Sequence, residues 1–303
     1  LEKITYKDQT NCYKLSNGTV DVIVAIDFGP RIRRKGFAGG ENILGEHPDT
    51  KAITELGEWR AWGGHRLWTA PEVNPRSYAP DNQPVEFTIE NDNSIRLIQR
   101  AEPPTNIEKE MNVTLDADGS GVSVEHKIMN GNLWGIDVAP WALTIMNGGG
   151  EAIFPQEPYR SWDDYLLPAR QIVLWHYTDL SDPRWTLGKK FLRLRSDAEH
   201  STPQKIGLAN KQNWAAYHRN KTVFIKRFVY EEGATYPDFG SNNETYTAAS
   251  FIELETLAPL QRLGAGASAT HRERWSLFDK VEIGLTDDDA EAALSACLAQ
   301  ISK

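Results

Sequence analysis

Alternating apolar and polar residues, interrupted at short intervals by turn-forming Asn, Gly and Asp, run along most of this chain and confine it to β structure. In "YKLSNGTVDVIVAID" two alternating runs flank Asn17-Gly18, the strongest short signal for a hairpin. "VEFTIENDNSIRLIQR" repeats the pattern around Asn91, Asp92 and Asn93. "IEKEMNVTLDADGSGVSVEHKIMN" repeats it around an Asp-Ala-Asp-Gly-Ser-Gly turn. Further strands are expected in "QIVLWHYT", "KFLRLRS", "NWAAYHRNKTVFIKRFVY", "AASFIELETLA" and "ATHRERWSLF". Many short strands with frequent turns predict a β-sandwich. Helical spacing is clear only in "LTDDDAEAALSACLAQISK", where Thr286 is a plausible N-cap with acids in the first turn. No repeat or linker divides the 303 residues, so one domain spanning 1–303 is expected. The segments 73–84 and 233–245 read as long loops, of the kind that shape binding sites.

Composition excludes some functions. A net charge of −9 argues against nucleic acid as the main partner, since phosphate binding needs a clustered positive field. The basic run Arg31 to Lys35 falls on a strand pattern and reads as a solvated or structural face. No stretch approaches the roughly 20 apolar residues of a membrane span. Cys12 and Cys297 are too far apart to form a disulfide framework or a metal site, and two free thiols are expected. The first residue is Leu1 rather than Met. A mature form after signal removal would be periplasmic or secreted, and a chain trimmed otherwise would be cytoplasmic.

Three stretches concentrate chemistry. "GEWRAWGGHRLWTAPE", 57 to 72, reads as a loop with Trp59, Trp62 and Trp68 as a stacking wall. Gly63-Gly64 permits a sharp turn or a close approach. His65 can exchange a proton near neutral pH, Arg66 offers a rigid fork of donors, and Glu72 closes the stretch. Indole faces stack on the C–H face of a pyranose, and the chain holds ten Trp, ten Tyr and ten Phe. In "FIELETLAPL", alternation puts Glu253 and Glu255 on one face, roughly 7 Å apart, where like charge raises a pKa and suits a general base. In "PYRSWDDYLLPAR", Arg160, Trp162, Asp163 and Asp164 are the ingredients of a sugar-hydroxyl cleft. "SDPRW" reads as a turn with an Arg–carboxylate clamp. The histidines show no paired metal-ligand spacing, and no phosphate-cradling or nucleophile-elbow motif is present, so neither metal nor cofactor is expected.

Taken in order, "GGHRLWTAPE", "WALTIMNGGG", "YPDFG…FIELETLAPL" and "HRERWSLF" resemble a bacterial group within the galactose mutarotase-like, aldose 1-epimerase-like superfamily, over about residues 10 to 280. The resemblance implies a large antiparallel β-supersandwich with a carbohydrate cleft on its concave face. It implies a monosaccharide or oligosaccharide ligand, Glu255 as the base that takes the anomeric proton, and Arg66 as the residue that orients the sugar. Where aldose epimerases carry an Asn-His pair this chain has Pro140-Trp141, which leaves His65 as the candidate acid. Trp68 and Trp62 are expected to stack on the ring, Trp141 and Trp162 to narrow the opposite side, and Glu72, Asp163 and Glu253 to contribute polar groups. The competing expectations are a sugar-binding protein of the same fold without turnover, and a glycan lyase or hydrolase.

Overall fold

The Asn17-Gly18 turn joins Gln9–Ser16 to Val20–Ala25 as an antiparallel hairpin in register, as the turn chemistry requires. The hairpins Glu86–Asn91/Ser94–Gln99 and Ile107–Leu115/Val122–Asn130 form likewise. A computed structural model describes residues 1–301. Its strands make two large antiparallel sheets and a separate two-stranded ribbon. The 11-stranded sheet has His65–Ala70, Ile136–Asn147, Phe251–Leu257, Asn243–Ala248 and Gln204–Leu208 side by side, running from its middle to the strand next to one edge. The 10-stranded sheet centres on Thr222–Arg227, Ser268–Phe278 and Val122–Asn130. The fold is thus all-β, a large antiparallel sandwich, as the patterning predicts.

The inward faces of both sheets build one apolar core, with Val22, Ile32 and Leu254 from one sheet against Met111, Val124 and Trp275 from the other. Along Ile107–Leu115 every second residue is buried, the signature of a sheet with one wet face. The C-terminal helix Asp287–Leu298 starts at a capping box between Thr286 and Asp289. Its Ala290, Leu294 and Cys297 pack on Ile153, Ala216 and Ile225 of the 10-stranded sheet. Cys12 and Cys297 are buried free thiols. No described helix is long and apolar enough to cross a membrane.

One expectation is corrected at once. Residues 57–72 are not a loop: Gly57–Gly63 is half of the ribbon, paired with Glu46–Thr54, and His65–Ala70 is a central strand of the 11-stranded sheet. The chain passes from one to the other at Gly63 and Gly64, whose φ values of 83° and 74° suit glycine alone. The backbones cross there in direct contact: Gly64 N donates to Gly45 O at 2.7 Å, and Gly45 N donates to Ile145 O at 2.9 Å. A Cβ on Gly64 would lie 2.1 Å from Ile32 O, and one on Gly45 2.7 Å from Met146 O. The crossing folds the ribbon over one face of the sheet. Arg31, from the basic run, secures it by donating to Ala61 O and Gly63 O at 3.0 and 3.3 Å while paired with Asp81. Arg31, Arg33 and Lys35 are buried, so the run is structural.

Candidate active site in an aromatic cleft

Register builds the floor of the site in rows. Ile145, Glu253, Tyr246 and Lys205 stand opposite one another on successive strands. The next row holds Arg66, Leu143, Glu255 and Glu244, and the next Trp68, Trp141 and Leu257. Neighbouring strands lie about 4.8 Å apart, so each row is a line of touching side chains. Together with the ribbon these rows enclose a cleft of 610 Å³, the size of a small-molecule site. Trp59, Trp68, Tyr78 and Trp141 form one aromatic wall, meeting edge to face. Trp175, Tyr177, Tyr246 and Phe251 line the other parts.

Arg66 sits between two indoles, its Cζ 4.8 Å from the Trp59 ring centre and 4.2 Å from that of Trp68. Its Nε and Nη1 have no hydrogen-bond acceptor among the described residues. Burial pulls its pKa down while Glu253 and Asp81 oppose the shift. Glu253 lines the cleft. Burial, reinforced by the charge of Glu255, pushes its carboxyl up to about 8, so it holds its proton at neutral pH. Glu255 lies beneath, fully buried. Its Oε2 accepts from Trp141 Nε1 at 2.9 Å and from Lys205 Nζ at 3.3 Å. Burial raises Glu255 as well, with Lys205 pulling the other way. Lys205 also pairs with Glu244 at 2.9 Å and lies 4.8 and 4.7 Å from the ring centres of Trp141 and Trp175.

The structure thus gathers Arg66, Trp68, Glu72, Trp141 and Glu253 around one cavity, with Glu255 directly under it. Glu72 accepts a hydrogen bond from the Tyr78 hydroxyl. Four expected members stand elsewhere: Trp62, Trp162, Asp163 and His65. Trp62 has φ +56° and stacks on Phe28 with ring centres 4.2 Å apart, outside the cleft. Trp162 is 78% exposed, and Asp163 is exposed beside it, on a surface loop that does not line the cavity. The Arg184–Asp182 clamp is present, at 2.9 and 2.8 Å.

His65 is the fourth. Adjacent residues on a strand face opposite ways, so with Arg66 in the cleft His65 points between the sheets, fully buried. There its tautomer is fixed by neighbours. His126 Nδ1–H donates to His271 O at 3.2 Å, which leaves His126 Nε2 to accept from His65 Nε2–H at 2.7 Å. His65 Nδ1 then accepts from Thr144 Oγ1, 2.8 Å away, and that oxygen accepts from Lys226 Nζ at 2.6 Å. Burial holds His65 and His271 well below the ordinary imidazole pKa and lowers His126 as well. His65, His126 and Glu273 bring ligand-type atoms within 4.8 Å of one another. Those atoms are already engaged: Glu273 accepts from Trp275 Nε1 at 2.8 Å and pairs with Lys226 at 2.9 Å. The group is a satisfied core network rather than a free set of donors.

Patterning did not point to Lys205, Glu244, Tyr246, Trp175 or His47, all at or under the cleft. Lys205, Trp175 and His47 come from segments remote in sequence, while Glu244 and Tyr246 lie on the strand that precedes Phe251–Leu257; strand pairing and the folded-back ribbon bring them together.

No protein-family model matches the sequence, and no curated protein matches it. Solved structures do. A candidate aldose 1-epimerase from Klebsiella pneumoniae aligns with a TM-score of 0.62 at 10% identity, covering 98% of this chain and 86% of that one. A candidate mutarotase from Salmonella typhimurium gives 0.59 at 11%, covering 90% and 92%. A galactose mutarotase-like protein from Lactobacillus casei gives 0.55 at 13%, covering 88% and 100%. The fold is galactose mutarotase-like, as the sequence resemblance implies. At these identities the likeness defines architecture; what the site does rests on its own residues.

Proposed function

We propose that the cleft binds a sugar ring and interconverts its anomers, with Glu253 as the carboxyl that meets the ligand. One juxtaposition carries this reading. A proton-holding carboxyl, an arginine with unused donors and a wall of indoles converge on the floor of a galactose mutarotase-like sheet. Indoles suit the apolar face of a pyranose, and the guanidinium fork suits its hydroxyls. Glu255, sealed under Trp141 and paired with Lys205, acts in this reading through Glu253 rather than on the sugar: its charge, two residues away, adds to the burial that keeps Glu253 protonated.

A second reading, sugar binding without turnover, is favoured by one observation: His65, the candidate acid where the family's histidine is replaced by Trp141, lies between the sheets.

Proton NMR of freshly dissolved α-hexoses and uronic acids separates the two. Acceleration of anomer exchange for one sugar, abolished in Glu253→Gln, establishes turnover. Saturable line broadening with exchange left at the spontaneous rate establishes binding alone. New reducing ends released from an oligosaccharide would instead point to chain cleavage.

A further inference from the structure

The ribbon carries an imidazole into the cleft. Gly45 is tied to Ile145 by the glycine crossing, and Ile145 is the register partner of Glu253. Two residues beyond Gly45 stands His47, which lines the same cavity as Glu253. Its ring centre is 4.8 Å from that of Phe251, at 56° between planes. Phe251 precedes Glu253 by two residues and so shares its face of the strand. His47 therefore approaches the Glu253 end of the floor from above. Its ring nitrogens make no side-chain hydrogen bond among the described residues, unlike those of His65 and His126.

We propose that His47 is the second proton-transfer group of the cleft, working with Glu253 on the two oxygens of the anomeric centre. The proposal rests on the reading of the cleft as an anomer-exchange site. Neutral His47 takes the proton of the anomeric hydroxyl, and that O–H electron pair becomes the second bond of the C1 carbonyl. The bond from C1 to the ring oxygen breaks onto the ring oxygen, which receives the proton held by Glu253. The open aldehyde turns about C1–C2. Closure then returns one proton to Glu253 and the other from His47 to the new hydroxyl. Nothing else is consumed.

The electrostatics agree with these roles. Burial pushes His47 below 6.5 against the opposing charge of Glu46, leaving a neutral acceptor, while Glu253 keeps its proton up to about 8. Arg66, Lys205, Glu72 and Glu255 are the charged groups acting on Glu253, and Tyr246 is opposite it.

The test measures anomer exchange and sugar affinity for wild type, His47→Gln and Glu253→Gln across pH. Each substitution is expected to slow exchange by about 10²–10⁴-fold with affinity nearly unchanged. The wild-type rate should fall on the acid side as His47 charges and above about pH 8 as Glu253 loses its proton. His47→Gln should lack only the acid limb and Glu253→Gln only the alkaline one, which a merely structural role would not produce. Wild-type exchange in His47→Gln overturns the assignment and leaves the anomer-exchange reading standing. A wild type that binds a sugar without accelerating it overturns both.

Discussion

Glu244 and Glu255 stand directly opposite each other on adjacent buried strands, and one ammonium, Lys205 Nζ, bridges them at 2.9 and 3.3 Å. Burial pushes both carboxyls up, Glu244 well above its ordinary value, and Lys205 opposes the shift in each. Burial alone would depress the lysine, yet Glu244 and Glu255 together raise it well above its ordinary value. Lys205→Met is therefore expected to lose about 3–5 kcal/mol of stability at neutral pH, the range for breaking a buried pair. Adding Glu244→Gln should recover part of that loss. Chemical denaturation of the two single variants and the double variant measures the coupling, and simple additivity would show that the bridge is not shared.

Glu253 should leave its mark on the pH dependence of stability. Its folded value of about 8 lies above the ordinary 4.5, so the native state keeps a proton that the unfolded chain releases. The contribution is full below about 4.5 and declines as pH rises to about 8. Glu253→Gln cannot titrate. Its melting temperature should gain on wild type across that window and run parallel to it above, as thermal melts at stepped pH will show.

The buried imidazoles act in the opposite direction. His271 is pushed down to about 3, by burial above all, and His65 and His126 are also held low. Groups depressed in the folded state contribute stability above their unfolded value of 6.5 and lose it as pH falls toward the folded one. Melting temperature should therefore drop steeply below pH 6.5. His271→Gln keeps a donor for Thr256 Oγ1, which accepts from His271 Nε2 at 2.7 Å, and should flatten part of that slope. An unchanged slope would mean that His271 takes up its proton at the same pH in both states.

Local chemistry was legible where it is local. The Asn17-Gly18 hairpin, the Thr286 cap and the shared face of Glu253 and Glu255 follow from turn preference, capping and period-two alternation, and all three are present. The same alternation already separates His65 from Arg66; reading 57–72 as a loop hid it. Trp62 left the cleft because a residue at φ +56° breaks the alternation that would aim it inward. Lys205, Glu244 and His47 were illegible for a different reason. Their meaning depends on which strand lies beside Phe251–Leu257 and on where the ribbon folds back. A lone Lys or His in a strand pattern carries no trace of either.

Arg66 offers the sharpest separation of stability from function. It is 3% exposed, its burial lowers its pKa, and Nε and Nη1 lack acceptors among the described residues. An unpaired buried cation is costly, and stacking between Trp59 and Trp68 returns only about 0.5–2 kcal/mol per ring. Arg66→Met keeps most of the volume between the indoles and removes the charge. It should melt no lower than wild type, within about 1 kcal/mol or on the stable side. If the guanidinium is instead kept for the ligand, sugar affinity should fall at least about tenfold, the weight of one charged hydrogen bond. Thermal melts and sugar titration on the same sample test both halves. A variant that is destabilised yet binds normally would make Arg66 a structural post of the aromatic wall and move the ligand's polar contacts to Glu72 and Glu253.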